Sequence, residues 1–110
     1  MWYAIVAEDV PNSLEKRMAA RPAHLARLQA MQDEARLLLA GPFPSIDSED
    51  PGEAGYSGSL IVAAFTNLQE AIIWANADPF VKAGVYAKVT VKPFRKTLPA
   101  MPVLPDIEVD

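Results

Sequence analysis

The chain has 110 residues, 51% of them hydrophobic, as expected for one folded domain with its own core. It has no cysteine and a single histidine, which excludes disulfides, thiolate catalysis and metal sites built from cysteines or several histidines. The net charge is −4, so the basic face that nucleic-acid binding needs is missing. No apolar run approaches the roughly 20 residues that span a bilayer, and the first residues lack the basic start of a signal peptide; we therefore expect a cytoplasmic protein without a membrane partner.

The first part of the chain predicts two strands separated by a long helix. Residues 2–8 are apolar and rich in β-forming residues, which indicates a strand. A helical pattern runs from the break near Pro11 to about residue 36, and Pro22 should kink or restart this helix. Residues 37–43 predict a second strand, which its closing prolines should end.

The second part predicts a loop, a strand, a helix and a last strand. Residues 45–58 read as a long loop, of the kind that often forms a lid. Residues 60–65 predict the third strand, and a helix capped by Asn67 should stop before the proline that follows Asp78. Residues 85–92 alternate apolar and polar positions, which is typical of an edge strand. The order βαββαβ predicts an α+β, ferredoxin-like fold, a four-stranded antiparallel sheet with both helices on one face.

The first and third predicted strands are apolar on both faces. In the first strand, Trp2 and Val6 point to one side, and Tyr3 and Ile5 point to the other. Two helices can cover only one face of the sheet, so the other face needs a cover of its own. We expect a second copy of the chain there, in a homodimer or higher homo-oligomer formed through the open sheet face. The alternative is that the C-terminal tail folds under the sheet.

The C-terminal tail differs in composition from the rest of the chain. We assign residues 1–96 to the domain and residues 97–110 to a Pro-rich, acidic extension, whose prolines exclude a helix. One interpretation is a flexible or loosely docked extension. The other is that Ile107 and Val109 add a short strand to an exposed sheet edge.

The histidine and one aspartate are the candidate catalytic residues. His24 lies on the first predicted helix beside an apolar stripe, and Asp78 closes the second helical stretch. An imidazole can exchange a proton near neutral pH, and a carboxylate beside it fixes the tautomer and stabilises the imidazolium. If the two side chains meet, they form a general acid/base pair. If they do not, His24 is a core-edge histidine and Asp78 only caps a turn.

Four further residues are candidates for substrate binding. Arg21 lies three residues before His24 on the same helical side, where it could clamp a carboxylate or phenolate, or simply lie in solvent. Gly41 could let a ligand approach the backbone closely, or it could mark a β-bulge. Ser59 could donate a hydrogen bond into a pocket, and Phe80 could line a cavity; a strand-end serine and a core phenylalanine are the plain alternatives.

Motifs for metals, nucleotides and nucleophilic catalysis are missing from the sequence. The acidic residues of the long loop lack the spacing of an EF-hand. No glycine-rich phosphate loop, nucleophile elbow or zinc-protease motif occurs. We therefore expect neither a metal nor a cofactor.

Four motifs stand in a fixed order within roughly residues 1–96: Arg21-Pro22-Ala23-His24-Leu25-Ala26-Arg27-Leu28, Leu39-Ala40-Gly41-Pro42, Ala77-Asp78-Pro79-Phe80-Val81-Lys82-Ala83-Gly84-Val85 and Val91-Lys92-Pro93-Phe94. In this combination they resemble the bacterial YciI family of small YCII-related proteins. The resemblance implies a ferredoxin-like fold that dimerises into an α/β barrel, with an active site centred on a histidine and an aspartate, which fall here on His24 and Asp78. The wider superfamily includes isomerases, dehalogenating enzymes, mono-oxygenases and haem-handling proteins. A shared fold does not indicate which of these activities a member has.

Two hypotheses of function follow. The first is a cofactor-independent enzyme, a lyase or isomerase, acting on a small cyclic or enolisable molecule, with His24 as general acid/base and Asp78 orienting it. Proton abstraction, isomerisation and elimination suit such a site because they need one tuned base and no nucleophile. The second hypothesis is a non-catalytic module that binds a small molecule or a partner protein.

Overall fold

The protein is described by a computed structural model with a four-stranded antiparallel sheet at its centre. The strand order is β2-β3-β1-β4, and all neighbouring strands are antiparallel. The predicted ferredoxin-like fold is therefore confirmed. The elements in chain order are β1 (Trp2–Asp9), α1 (Leu14–Asp33), β2 (Leu37–Pro44), a short 3-10 turn (Gly52–Ala54), β3 (Tyr56–Ala64), α2 (Leu68–Asn76), α3 (Pro79–Lys82) and β4 (Tyr86–Phe94).

The structure describes residues 1–100. The prediction that Ile107 and Val109 form an added strand lies outside the described residues. In the described part of the chain, no helix is both long and apolar enough to cross a membrane.

Three prolines behave differently from the predictions. Of the kink or restart expected at Pro22, the restart is wrong, because helix α1 is continuous through this residue. Packing of one helix face on the sheet compensates for the single backbone hydrogen bond that a proline removes. Strand β2 includes Pro42 and Pro44, which we expected to end it. Because β2 is an edge strand, a proline without an N–H is tolerated on its unpaired side.

The predicted loop over residues 45–58 is shorter than expected. Strand β3 begins at Tyr56 rather than at residue 60, and the 3-10 turn occupies part of the connection. The backbone N–H of Ser45 donates to the carbonyl oxygen of Gly55 at 2.9 Å, so the two ends of the connection are tied together. The connection between β2 and β3 is therefore a closed, partly structured loop at one end of the sheet.

The core lies between the sheet and helices α1 and α2. On α1, His24, Leu28 and Met31 are buried at spacings of four and three residues, which places them on one helix face. His24 is therefore next to the core, with apolar neighbours along the helix. The buried cluster consists of Tyr3, Ile5, Leu28, Met31, Ile61, Ala63, Phe65, Ala71 and Ala75.

The other face of the sheet carries exposed apolar side chains. Val6 is 39% exposed, Leu39 46% and Phe94 40%. The register pairs Val6 with Leu60 and Leu39 with Val62, and directly paired residues share a face. Strand β1 is thus apolar on both sides, as predicted, and Val6 on its outward side is exposed.

Candidate functional site

His24 and Asp78 lie within hydrogen-bond distance of each other. His24 Nδ1 is 2.9 Å from both Asp78 Oδ1 and Asp78 Oδ2. Asp78 also accepts a hydrogen bond from the backbone N–H of Phe80 at 2.9 Å, which makes it the N-cap of α3. His24 is 7% exposed and Asp78 is 2% exposed. Capping therefore orients the carboxylate, and the carboxylate orients the imidazole.

The hydrogen bond determines which imidazole nitrogen is available for chemistry. An ionised carboxylate only accepts hydrogen bonds, so Nδ1 of His24 must donate and Nε2 carries the lone pair of the neutral ring. Nε2 has no hydrogen-bond partner among the described residues, and the atom is not fully buried. Since His24 lines a cavity, Nε2 is the atom that a bound molecule can reach.

The cavity has a volume of about 740 Å³ and lies between α1, the β2–β3 connection and the middle of β3. Leu25, Leu28 and Ile61 give it apolar walls. Asp50 and Glu53 place two carboxylates at its edge, on the exposed connection. A cavity of this size and lining suits a small molecule with an apolar body.

Five of the six sequence-predicted site residues line this cavity, namely Arg21, His24, Gly41, Ser59 and Phe80. Asp78 reaches it only through His24. The bulge interpretation of Gly41 is wrong, because the register of β2 shifts elsewhere, between Leu37 and Leu39 and again after Phe43. A Cβ at Gly41 would meet no atom within 4 Å, so no close approach within the chain requires this glycine.

Arg17 is the residue of the cavity that the sequence analysis missed. Its Nε and Nη2 donate to the carboxylate of Asp9 at 2.9 and 3.2 Å, and Nη2 also donates to Ser59 Oγ at 2.7 Å. Ser13 Oγ donates to the same carboxylate at 2.6 Å. Arg17 is only 6% exposed. Its position two helical turns before His24, on the buried face of α1, was the signal that could have revealed it.

The aromatic ring of Phe80 contacts two polar groups of the cavity, the imidazole of His24 and the guanidinium of Arg17. It stacks on the His24 ring with a centroid distance of 3.9 Å, and the Arg17 guanidinium carbon lies 4.8 Å from its centroid. Residues two turns apart on a helix are separated by about 10 Å, so both can make these contacts when the ring lies between them. Phe80 thereby packs against both the imidazole and the guanidinium.

Two ionisable groups behind the cavity have shifted pKa values. Burial raises the pKa of Tyr86 to about 12, because a phenolate would be poorly solvated there. The Tyr86 hydroxyl lies near Ser59 but makes no well-formed hydrogen bond. Burial also lowers the pKa of Arg27, an effect that the nearby carboxylate of Asp78 opposes. The surroundings of Asp78 are thus poorly hydrated, which strengthens its interaction with His24.

The cavity residues supply two kinds of chemistry. Nε2 of His24 can accept or return a proton, and guanidinium groups can bind negatively charged oxygen atoms. Within residues 1–100, no three histidine, aspartate or glutamate side chains converge closely enough to hold a metal ion.

Comparisons with known proteins match nearly the whole described chain. The YCII-related domain matches residues 1–95. A protein named YciI from Escherichia coli O6:H1 is 59% identical over 96 residues, which cover 87% of this chain and 98% of that protein. An uncharacterized protein from Haemophilus influenzae is 60% identical over 96 residues, again covering 87% of this chain and 98% of the relative.

A solved structure shares the fold and part of the sequence. It is 5-chloro-2-hydroxyhydroquinone dehydrochlorinase (TftG) from Burkholderia phenoliruptrix AC1100, in complex with 2,5-dihydroxybenzoquinone. The TM-score is 0.77 at 27% sequence identity, over 88% of this chain and 96% of that one. From the match over residues 1–95 and the identity to these relatives, we conclude that the chain belongs to the YCII-related domain family.

Proposed function

We propose that this protein is a cofactor-independent enzyme that removes a proton from a small hydroxylated ring compound and completes an elimination or isomerisation. The observation that carries the proposal is the buried His24–Asp78 hydrogen bond of 2.9 Å, which leaves Nε2 directed at a cavity of about 740 Å³. The dehydrochlorinase TftG supports it, since that similar protein is named for an elimination reaction and was solved with a quinone bound.

In the proposed step, Nε2 of His24 takes a proton from an acidic C–H or O–H group of the substrate. The electron pair left on the substrate moves into its conjugated system. In an elimination it expels a leaving group, such as chloride, with its bonding pair; in an isomerisation His24 returns the proton to another atom. The imidazolium that forms donates through Nδ1 to Asp78, whose negative charge stabilises it in this poorly hydrated place.

The proposal is tested with the substrate named for TftG. The purified protein is incubated with 5-chloro-2-hydroxyhydroquinone, and chloride release is followed together with the formation of the coloured quinone. His24→Asn should lower kcat by about 10²- to 10⁴-fold, because it removes the proton acceptor. Binding of 2,5-dihydroxybenzoquinone should be nearly unchanged. Gln29→Ala, on the exposed side of α1, serves as the matched control and should keep full turnover.

Two outcomes would contradict the proposal. Full turnover by His24→Asn would remove His24 from the chemistry. Tight quinone binding by the unsubstituted protein, without turnover of chlorinated or enolisable ring compounds, would favour the alternative of a binding module.

We also propose that the protein forms a homodimer through the open sheet face. Val6, Leu39, Phe43 and Phe94 lie on that face and are each 39–46% exposed. A flat apolar patch of this kind is buried most simply against an identical patch, around a two-fold axis. Val6→Asp should yield a monomer in sedimentation experiments, because it places a charge at the centre of the interface. A protein that is monomeric without any substitution would contradict this proposal.

A further inference from the structure

We infer that the acidic end of the C-terminal tail, residues 101–110, docks in a groove between helices α1 and α2 of its own chain. These ten residues lie outside the described residues and outside the region that the family matches, which ends at residue 95. The groove has a volume of about 660 Å³ and shares no residue with the cavity at His24, so it is a separate binding surface. Its main lining residues are Arg27, Arg36, Phe65, Ile73 and Trp74.

The groove places each of two arginines beside an aromatic ring. Arg27 Nη2 donates to the carbonyl oxygen of Trp74 at 2.8 Å, and the guanidinium carbon lies 4.3 Å from the ring centroid of the same residue. Arg36 donates through Nε and Nη2 to the carbonyl oxygen of Ala64, both at 3.1 Å. Its guanidinium carbon lies 5.3 Å from the ring centroid of Phe65. Backbone acceptors and aromatic rings thus hold both cations in place before a ligand binds.

Both arginines can accommodate a further acceptor. Nη1 of Arg27 is buried and has no hydrogen-bond partner among the described residues, which costs free energy that a carboxylate beside this guanidinium would recover. Arg36 pairs with the carboxylate of Glu34 at 2.9 Å, but its side chain is 39% exposed, so a second carboxylate can reach it. The acidic residue of the groove lining, Glu70, is exposed to solvent. The groove therefore suits a ligand that combines apolar groups with carboxylates.

The sequence of the tail is complementary to this lining. Its last five residues, Asp106-Ile107-Glu108-Val109-Asp110, alternate acidic and apolar side chains, and residues 101–110 include no basic side chain. The segment before them, Pro102-Val103-Leu104-Pro105, has two prolines at a spacing of three residues. Segments with this spacing bind to aromatic-lined grooves in an extended polyproline conformation. We therefore expect the prolines on the ring of Trp74 and the carboxylates beside the two arginines.

The tail begins at the same end of the sheet as the groove. Phe94, the last residue of β4, pairs with Trp2, and Trp2 pairs on its other side with Ala64, which lines the groove. Neighbouring strands are about 4.8 Å apart, so the chain leaves β4 about 10 Å from Ala64. An extended chain spans about 3.3 Å per residue, so the segment from Arg95 to Asp106 can span on the order of 35 Å. The tail is therefore long enough to reach the groove of its own chain.

The experiment attaches a nitroxide spin label to the tail of the full chain and follows the backbone amide signals by NMR. The chain has no cysteine, so Val109→Cys provides a single labelling site. The label should broaden the amides of Thr66, Ile73 and Ala77, which line the groove. The amide of Lys88, at the far end of β4, should stay sharp. In a mixture of nitroxide-labelled protein with isotope-labelled protein that lacks the nitroxide, the groove amides should also stay sharp, because the tail docks within one chain.

Charge variants of both partners test the contact itself. Asp106→Asn/Glu108→Gln should lower the paramagnetic relaxation enhancement at the groove amides about fivefold or more, as expected for the loss of two exposed ion pairs. Arg27→Gln/Arg36→Gln should have the same effect from the other side. The tail variant leaves residues 1–100 unchanged, so it tests the contact even if the arginine variant is destabilised.

A matched control removes two positive charges elsewhere. Lys88→Gln/Lys92→Gln, on the exposed side of β4, should keep the full broadening at the groove. The inference is overturned if the label broadens Lys88 instead of the groove, which would place the tail along the sheet edge or under the sheet. It is also overturned if the groove amides broaden in the mixture, if the tail variant keeps the full broadening, or if the lysine control abolishes it.

Discussion

The ring of Phe80 lies flat against the imidazole of His24, with the two planes inclined by 12°. The stack depends on α3, a helix of four residues that begins directly after Asp78. The same short segment supplies the carboxylate that holds Nδ1 and the ring that supports the imidazole face. The imidazole is therefore restrained in its plane by a hydrogen bond and out of its plane by packing, which is the preorganisation that proton transfer requires.

Phe80 should be important for stability as well as for the site. It is fully buried and contacts His24, Arg17 and Tyr86. Phe80→Ala should lower the free energy of unfolding by about 3–5 kcal/mol, and the better-filling Phe80→Leu by less. Urea unfolding followed by circular dichroism measures both, with Ile73→Ala, on the exposed side of α2, as control. Equal effects at Phe80 and Ile73 would contradict the packing role.

Asp78→Asn should separate the charge of the aspartate from its capping role. Asparagine also caps helices well, so the hydrogen bond to the Phe80 N–H can persist and stability should fall by about 1–2 kcal/mol at most. The imidazolium loses its counter-charge, and kcat for the proposed reaction should fall by about 10²-fold or more. Steady-state kinetics and urea unfolding test the two parts, with Asp33→Asn on the exposed side of α1 as control. Unchanged kcat in Asp78→Asn would exclude a catalytic role of the pair.

Tyr86 predicts a specific dependence of stability on alkaline pH. Its pKa is raised from 10.0 to about 12 in the folded protein, chiefly by burial. Because the folded-state pKa is the higher one, the contribution of neutral Tyr86 is fully present below about pH 10 and is lost as the pH rises towards 12. Tyr86→Phe should lose less stability over that interval. Near neutral pH its stability should be equal or slightly greater, since the buried hydroxyl lacks a good partner.

Urea unfolding near neutral pH and at about pH 11 measures this difference. The phenolate absorbance of the folded protein gives a second measurement, because the contribution of Tyr86, absent in Tyr86→Phe, should appear only as the pH approaches about 12. An identical alkaline loss of stability in Tyr86→Phe would contradict the assignment.

Gly58 and Gly41 form a matched pair of glycines on neighbouring strands. A Cβ at Gly58 would collide with the carbonyl oxygen of Ala7, whereas one at Gly41 would meet nothing within 4 Å. Gly58→Ala should therefore destabilise the protein by about 1–3 kcal/mol or more, as overpacking substitutions do. It should also displace the carbonyl oxygen of Gly58, which accepts a hydrogen bond from Arg17. Gly41→Ala should change stability by less than about 1 kcal/mol. Thermal unfolding distinguishes the two, and similar melting temperatures would show that β1 and β3 can move apart.

The element order and the main catalytic candidates followed from local signals. Periodicity of two and of about 3.6 residues predicted strands and helices, and the Asn67 cap predicted the start of α2, where its side chain accepts from the Glu70 N–H. His24 was conspicuous because it is the single imidazole of the chain. Strand ends were less accurate, because whether a proline is tolerated depends on the strand being at an edge, and that is a property of the whole sheet.

By itself, the sequence determined the fold class and the face of α1 that would carry His24, because backbone periodicity and burial are encoded residue by residue. Only the tertiary structure decided that Asp78 meets His24 across 54 positions and that Asp9, Arg17 and Ser59 form a second polar centre beside Phe80. Such contacts join residues far apart in the chain, and their geometry follows from how α1 and α3 pack against the sheet. A pattern of neighbours along the sequence contains no measure of that distance.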